Sequence, residues 1–270
     1  VADALDAASA LAAQALAARA DGLVVLGIAG AQGSGKSTLA VALKARLAAQ
    51  GVACALLSID DLYRTAAERA ALARTVHPLL RTRGVPGTHD VALGLALIAA
   101  LERGEAAGLP RFDKAMDDRL PESAWDLAPA ATRLLILEGW CVGARPQERA
   151  ALAVPVNPLE AREDADGRWR CFVNAALAGV YQRLFARIDR LALLAAPDFA
   201  VVERWRNQQE EALRTRGGAG VMDAAQVARF IQHYERITRH MLAEMPGRAD
   251  LLIALDANRR VTEVRRRPGG

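Results

Sequence analysis

One stretch of this chain has the residue types and spacing to hold a phosphate. Gly30, Ala31, Gln32, Gly33, Ser34, Gly35, Lys36 and Ser37 follow the pattern G-x-x-x-x-G-K-[ST], with Thr38 next in line. Glycines at these positions let backbone N–H groups turn inward around an anion, and a helix starting at Lys36 would add its partial positive charge. Lys36 supplies a mobile point charge for the β- and γ-phosphates of a nucleotide, and the Ser37 hydroxyl is a magnesium ligand. This Walker A pattern predicts ATP and Mg2+ as the ligands of residues 30–38.

Three acids stand where such a ligand would need them. Asp60 and Asp61 follow a hydrophobic run at 52–59, and Glu138 ends the run Leu134, Leu135, Ile136, Leu137. In open α/β sheets, ligands bind beyond the carboxyl ends of the strands. Asp60 could there accept the proton of an attacking hydroxyl or hold magnesium through water. Asp61 fits either a site residue or a loop cap. Glu138 has the placement of a Walker B acid facing the metal.

The elements that must position these residues follow from periodicity. Residues 2–20 read as an Ala-rich helix, and 23–28 as a short buried strand. A helix at 36–50 and a strand at 52–59 complete a β–loop–α–β unit, which implies a parallel sheet with right-handed crossovers. Residues 64–89 look irregular, 91–103 helical, and 110–121 a charge-dense loop. After the strand at 134–137, residues 145–170 read as a polar excursion. A helix at 174–188, a strand at 190–194, a charged helix at 201–214, a glycine-rich break at Gly217, Gly218 and Gly220, and a helix at 223–244 lead to a last strand at 251–255. The basic segment 259–267 reads as a solvated terminus. The expectation is a single three-layer α/β/α domain over 1–270, with a central parallel sheet and a helical lid or substrate-covering region around 201–244.

Composition narrows the classes. With 270 residues and 52% hydrophobic content the chain can bury a sizeable core, and with 4% aromatics that core is mainly Ala, Leu, Val and Ile. The net charge of +4 suits an enzyme of polyanionic ligands. No basic stripe interleaved with aromatics argues for nucleic acid. Cys54, Cys141 and Cys171 form no metal-ligand spacing and read as buried, reduced thiols. No apolar run reaches the roughly 20 residues of a membrane span, and the start lacks a basic signal-peptide region. A cytoplasmic protein with neither nucleic-acid nor membrane partners is expected.

Ser-Ile-Asp-Asp-Leu-Tyr at 58–63 resembles the second-strand motif of the kinase branch containing uridine, pantothenate and phosphoribulose kinases, which implies Asp60 as the base for a substrate hydroxyl. The fuller match is to the D-glycerate 3-kinase family. It is carried by Gly-Ile-Ala-Gly-Ala-Gln-Gly-Ser-Gly-Lys-Ser at 27–37, Arg-Gly-Val-Pro-Gly-Thr-His-Asp at 83–90, and Pro-Arg-Phe-Asp-Lys at 110–114 with Asp118 and Arg119. Glu-Gly-Trp-Cys-Val-Gly at 138–143, Val-Asn-Ala-Ala-Leu at 173–177 and Trp-Arg-Asn-Gln-Gln-Glu at 205–210 complete it. The resemblance runs over residues 23–256. Asp117 stands in a loop where glycines are common, and 145–170 is longer and more polar than the pattern.

What the resemblance implies is phosphorylation of D-glycerate at its 3-hydroxyl. A site for that acceptor needs a cation for the carboxylate; Arg83, Arg111, Lys114 and Arg119 are candidates. Thr88, His89 and Asp90 could bind hydroxyls, Asp90 equally fitting a cap of the helix at 91. Tyr63 and Asp61 join the set from the second-strand motif. Arg206, with Arg204 beside it, falls where related kinases carry a lid, and would steady the phosphoryl group together with Lys36. Rival readings are a kinase for another hydroxy acid, pantothenate or a nucleoside, and a regulatory ATPase with no small acceptor.

Overall fold

A computed structural model describes residues 2–215 and 222–267; the glycine-rich break read at Gly217, Gly218 and Gly220 lies outside them. In chain order, helix α1 (Ala2–Ala18) precedes β1 (Val24–Gly30), α2 (Lys36–Ala49) and β2 (Cys54–Ser58). Helices α3 (Ala66–Thr75) and α4 (Val91–Glu102) lead to four short strands, β3 (Ala107–Leu109), β4 (Phe112–Asp113), β5 (Asp118–Arg119) and β6 (Asp126–Ala128). β7 (Leu134–Gly139) is followed by α5 (Pro158–Glu163), α6 (Arg168–Ala176), α7 (Gln182–Phe185) and β8 (Arg190–Ala195). Helices α8 (Ala200–Thr215) and α9 (Ala224–Glu244) come before β9 (Leu251–Leu255) and β10 (Val261–Arg266).

Six strands form the main sheet in the order β10-β9-β8-β1-β7-β2, all neighbours parallel except the β9–β10 pair. Every residue of β1 and β7 is buried, as continuous apolar runs covered on both faces must be. Alternation then divides the core in two. Val24, Leu26, Ile28, Leu134 and Ile136 pack with α1 and α2 on one face. Val25, Leu135 and Leu137 pack with α4, α6 and the inner side of α9 on the other. The result is the expected three-layer α/β/α arrangement. No helix among the described residues is long and apolar enough to cross a membrane.

Several local readings need correction. Residues 259–267 are not a solvated terminus: Val261 to Arg266 form β10, antiparallel to β9, beyond what was read as the last strand. An edge strand has one unpaired side and here a mostly exposed surface, so it lacks the apolar pattern of the buried strands. The stretch 64–89 contains the regular helix α3, whose capping box of Thr65 and Glu68 was the overlooked signal. The charge-dense loop contains the β4–β5 hairpin. All three cysteines are free, but Cys171 is exposed.

Residues 145–170 are packed into the molecule. Leu159 and Trp169 join the core. Arg236 of α9 meets Glu160 of α5 at 2.6 Å, with both side chains at most 7% exposed. The same guanidinium donates to the carbonyls of Ala151 and Val154. Arg170 is likewise buried against Asp164 at 2.9 Å. Each charge is hydrogen-bonded as well as paired, which is what burial of an ion requires.

Candidate active site

β1 ends at Gly30 and α2 begins at Lys36, so residues 31–35 form the turn between them. Gly33 and Gly35 have φ of +78° and +91°, values that an L side chain resists. Gly33 has a second constraint: a Cβ there would come within 2.6 Å of the Trp205 Cβ. The Ser34 N–H donates to the Ala31 carbonyl at 3.1 Å, closing the turn. The Gln32 amide and the Ser34 hydroxyl are buried with no partner. Thr38 is exposed on the first turn of α2.

Beside this loop, the Ser37 hydroxyl donates to Glu138 Oε1 at 3.1 Å, while Glu138 Oε2 is buried with no partner. Glu138 is in β7, next to β1, and only 5% exposed. An orphaned buried carboxylate oxygen beside a hydroxyl is a donor set suited to a hard divalent cation. A second cluster of cation-ligand types, His77, Asp164 and Asp166, lies elsewhere. There both Asp164 oxygens already accept N–H groups from Trp169 and Arg170, so that cluster reads as a structural brace.

Asp60 follows β2 on a single 3-10 turn, Ile59–Leu62. Its Oδ1 accepts from the Tyr63 hydroxyl at 2.7 Å and its Oδ2 from the Lys114 ammonium at 2.6 Å. Burial alone would raise the Asp60 carboxyl. Lys114, Lys36 and the Tyr63 hydroxyl outweigh it and hold the group below the usual carboxylate range. Tyr63 is pushed well above its ordinary value, chiefly by burial and then by Asp60.

A single small cleft is lined by Gln32, Lys36, Asp60, Tyr63, Arg83, Lys114, Trp140, Arg206, Phe230 and Tyr234. Four cations there face one carboxylate. Arg83 pairs with Asp117 and lies over the Phe112 ring at 5.6 Å. Asp117, flagged in the sequence, has φ of +55°; it also takes the buried Arg69 at 3.0 Å. Arg206 pairs with Glu210 one helical turn on and lies over Phe230 at 5.6 Å.

The remaining residues read as acceptor ligands stand behind the cleft. Asp61 accepts from Arg111 at 3.0 Å and from the Phe112 N–H at 3.1 Å, fastening the hairpin to the β2 end; burial raises its carboxyl. Arg111 also pairs with Asp126. Arg119 donates to the Tyr63 carbonyl and reaches Asp90 at 3.4 Å. Asp90 caps α4 through the Leu93 N–H. Thr88 is fully buried, bonded to Val85 and Gly84. His89 is buried with Nδ1 2.6 Å from the Tyr181 hydroxyl and its ring stacked on Tyr63; burial lowers it to about 4.

Some of the site escaped the sequence reading. Phe230 and Tyr234 come from α9, where their spacing reads as core. Arg259, from the β9–β10 turn, donates to the Gly33 carbonyl at 2.5 Å and to Gln208 of α8 at 2.8 Å. Its guanidinium lies over Trp205 at 5.1 Å. Nothing in the sequence separates Arg259 from the arginines around it. Trp205, fully buried, donates its indole N–H to the Ala257 carbonyl, so α8 and the hairpin are joined directly behind the phosphate loop.

No family model matches the chain. It is 40% identical over 225 residues to the uncharacterized kinase mug58 of Schizosaccharomyces pombe, covering 78% of each chain. It is 30% identical over 254 residues to the chloroplastic D-glycerate 3-kinase of Arabidopsis thaliana, covering 87% of this chain and 53% of that protein. A D-glycerate 3-kinase from Cryptococcus neoformans var. grubii superposes with a TM-score of 0.79 at 24% identity, over 97% of this chain and 99% of that one.

Proposed function

Because this chain belongs to the D-glycerate 3-kinase family of P-loop kinases, we propose that it transfers the γ-phosphoryl group of ATP to the 3-hydroxyl of D-glycerate, giving ADP and 3-phosphoglycerate. The observation that carries the reading is the cleft itself. Lys36, Asp60, Arg83, Lys114 and Arg206 line one cavity, which supports a reading in which a nucleotide's phosphates, a proton acceptor and cations for an acidic acceptor share one place.

The N–H groups of residues 30–37 receive the phosphates, with Lys36 on the outer ones. Ser37 and Glu138 would hold Mg2+, which neutralises charge on the phosphate oxygens. Asp60 orients the 3-hydroxyl and takes its proton. Arg206, from α8, steadies charge on the moving phosphoryl group and helps exclude water. Most of the acceleration comes from positioning and electrostatics.

The test is ADP release from ATP-magnesium with D-glycerate, beside L-glycerate, uridine, pantothenate and a blank without acceptor. Fast turnover with D-glycerate alone, and a 3-phospho product, supports the assignment. Equal slow release in every tube rejects it in favour of an ATPase without a small acceptor.

A further inference from the structure

We propose that Lys114 makes turnover conditional on a carboxylate in the acceptor: it holds Asp60 closed in the free enzyme and leaves it for the acceptor's carboxylate, freeing Asp60 to take the hydroxyl proton. The proposal rests on the kinase reading above and deepens it.

Of the arginines near the cleft, Arg111 is engaged by Asp61 and Asp126, and Arg119 by the Tyr63 carbonyl and Asp90. Arg83 is paired with Asp117 and seated on Phe112. Lys36 faces the phosphates and Arg206 sits on α8. Lys114 alone among the cleft cations has the base itself as its partner. Both Asp60 oxygens are taken, one by Lys114 and one by Tyr63. In that state each carboxylate oxygen already accepts one hydrogen bond, and the ammonium on Oδ2 neutralises the charge that would draw a substrate proton.

The two partners differ in how easily they leave. Tyr63 is 3% exposed and wedged between His89 and Phe112. Lys114 is 59% exposed at the tip of the β4–β5 hairpin, on a flexible four-carbon stem. The hairpin backbone is fixed independently of that side chain, because Asp113 accepts the Ala115 and Met116 N–H groups. The ammonium can therefore swing without unfolding its support.

An acceptor carboxylate entering the cleft competes for Lys114 with a charge equal to that of Asp60. Once Lys114 moves, Asp60 Oδ2 is open while Tyr63 still orients Oδ1. The acceptor O–H proton passes to Asp60, the acceptor oxygen bonds to the γ-phosphorus, and the bond from that phosphorus to the β-γ bridging oxygen breaks, releasing ADP. A neutral polyol of the same size has nothing to draw Lys114 away and meets an occupied base. Lys114 is thus a specificity-determining residue that acts on the chemical step as well as on binding.

The experiment compares kcat and KM for D-glycerate and glycerol, and for 3-hydroxypropanoate and 1,3-propanediol as a second acid–alcohol pair, in the wild-type enzyme, Lys114→Met and Lys114→Arg. The wild type should favour each accepted acid over its alcohol in kcat as well as KM. Lys114→Met should lower kcat/KM for the acid about a hundredfold, the worth of a charge-assisted hydrogen bond, while glycerol turnover moves upward. Lys114→Arg should restore part of the preference. An equal loss for acid and alcohol in Lys114→Met, or a wild type that turns over both alike, overturns the proposal while leaving the glycerate assignment standing. A wild type that rejects glycerate but prefers 3-hydroxypropanoate to propanediol, with that preference lost in Lys114→Met, sinks the glycerate assignment and keeps the role of Lys114. Turnover of neither acid overturns both.

Discussion

The two sides of the cleft differ in how far the protein satisfies its own polar groups. On the phosphate side the Gln32 amide, the Ser34 hydroxyl and Glu138 Oε2 are buried without partners. On the acceptor side His89 Nε2 is buried without a partner, but the charged groups Asp60, Asp61, Arg83, Arg111 and Arg119 all have partners from within the chain. Buried polar groups left unmade are costly, so the first side gains by filling. The second is nearly neutral in isolation, and a ligand can enter only by exchanging one partner for another. A filling site should tolerate a range of nucleotides, whereas an exchange site should be sensitive to acceptor charge.

Mutations can break this contrast, the largest effect first. Lys36→Ala removes the phosphate-facing lysine of the filling side, and kcat should fall by about 10³ or more, measured by coupled ADP release. Asp60→Asn keeps the shape of the exchange side without its base. It should lose about 10² to 10³ in kcat with ATP affinity by calorimetry nearly unchanged; retained turnover would reject the base assignment.

His89 gives the next effect, through stability. Its pKa lies near 4 in the folded protein against an ordinary 6.5. Between those values the unfolded chain binds more protons than the folded one, so stability rises with pH across that window. The span corresponds to about 3 kcal/mol, and His89→Gln should flatten the dependence of the denaturation midpoint on pH between 4 and 6.5, leaving the part due to His233, which burial also lowers to about 4. The smallest effect belongs to Arg111→Ala. As a partly exposed brace between Asp61 and Asp126 it should cost about 1 kcal/mol of stability and little in KM for the acceptor. A KM rise of a hundredfold would instead make it a ligand of the carboxylate.

The same contrast governs what could be read in advance. The phosphate loop is written within eight consecutive residues because backbone and glycine geometry make it, and the buried strands β1 and β7 are legible as apolar runs. The acceptor side is made by pairs distant along the chain: Lys114 and Asp60 are 54 residues apart, Arg111 and Asp61 50. Local patterning could nominate Arg83, Arg111, Lys114 and Arg119 but could not tell which guanidinium is already engaged. β10 was missed because an exposed edge strand carries no apolar signature, and with it went Arg259.

That arginine also sets an order on biogenesis. Arg259 joins the Gly33 carbonyl from 226 residues downstream, so everything between the two must be synthesised before that contact can form. A nascent chain therefore carries its Walker sequence well before it carries the β9–β10 hairpin that braces it, and the loop is made long before its brace.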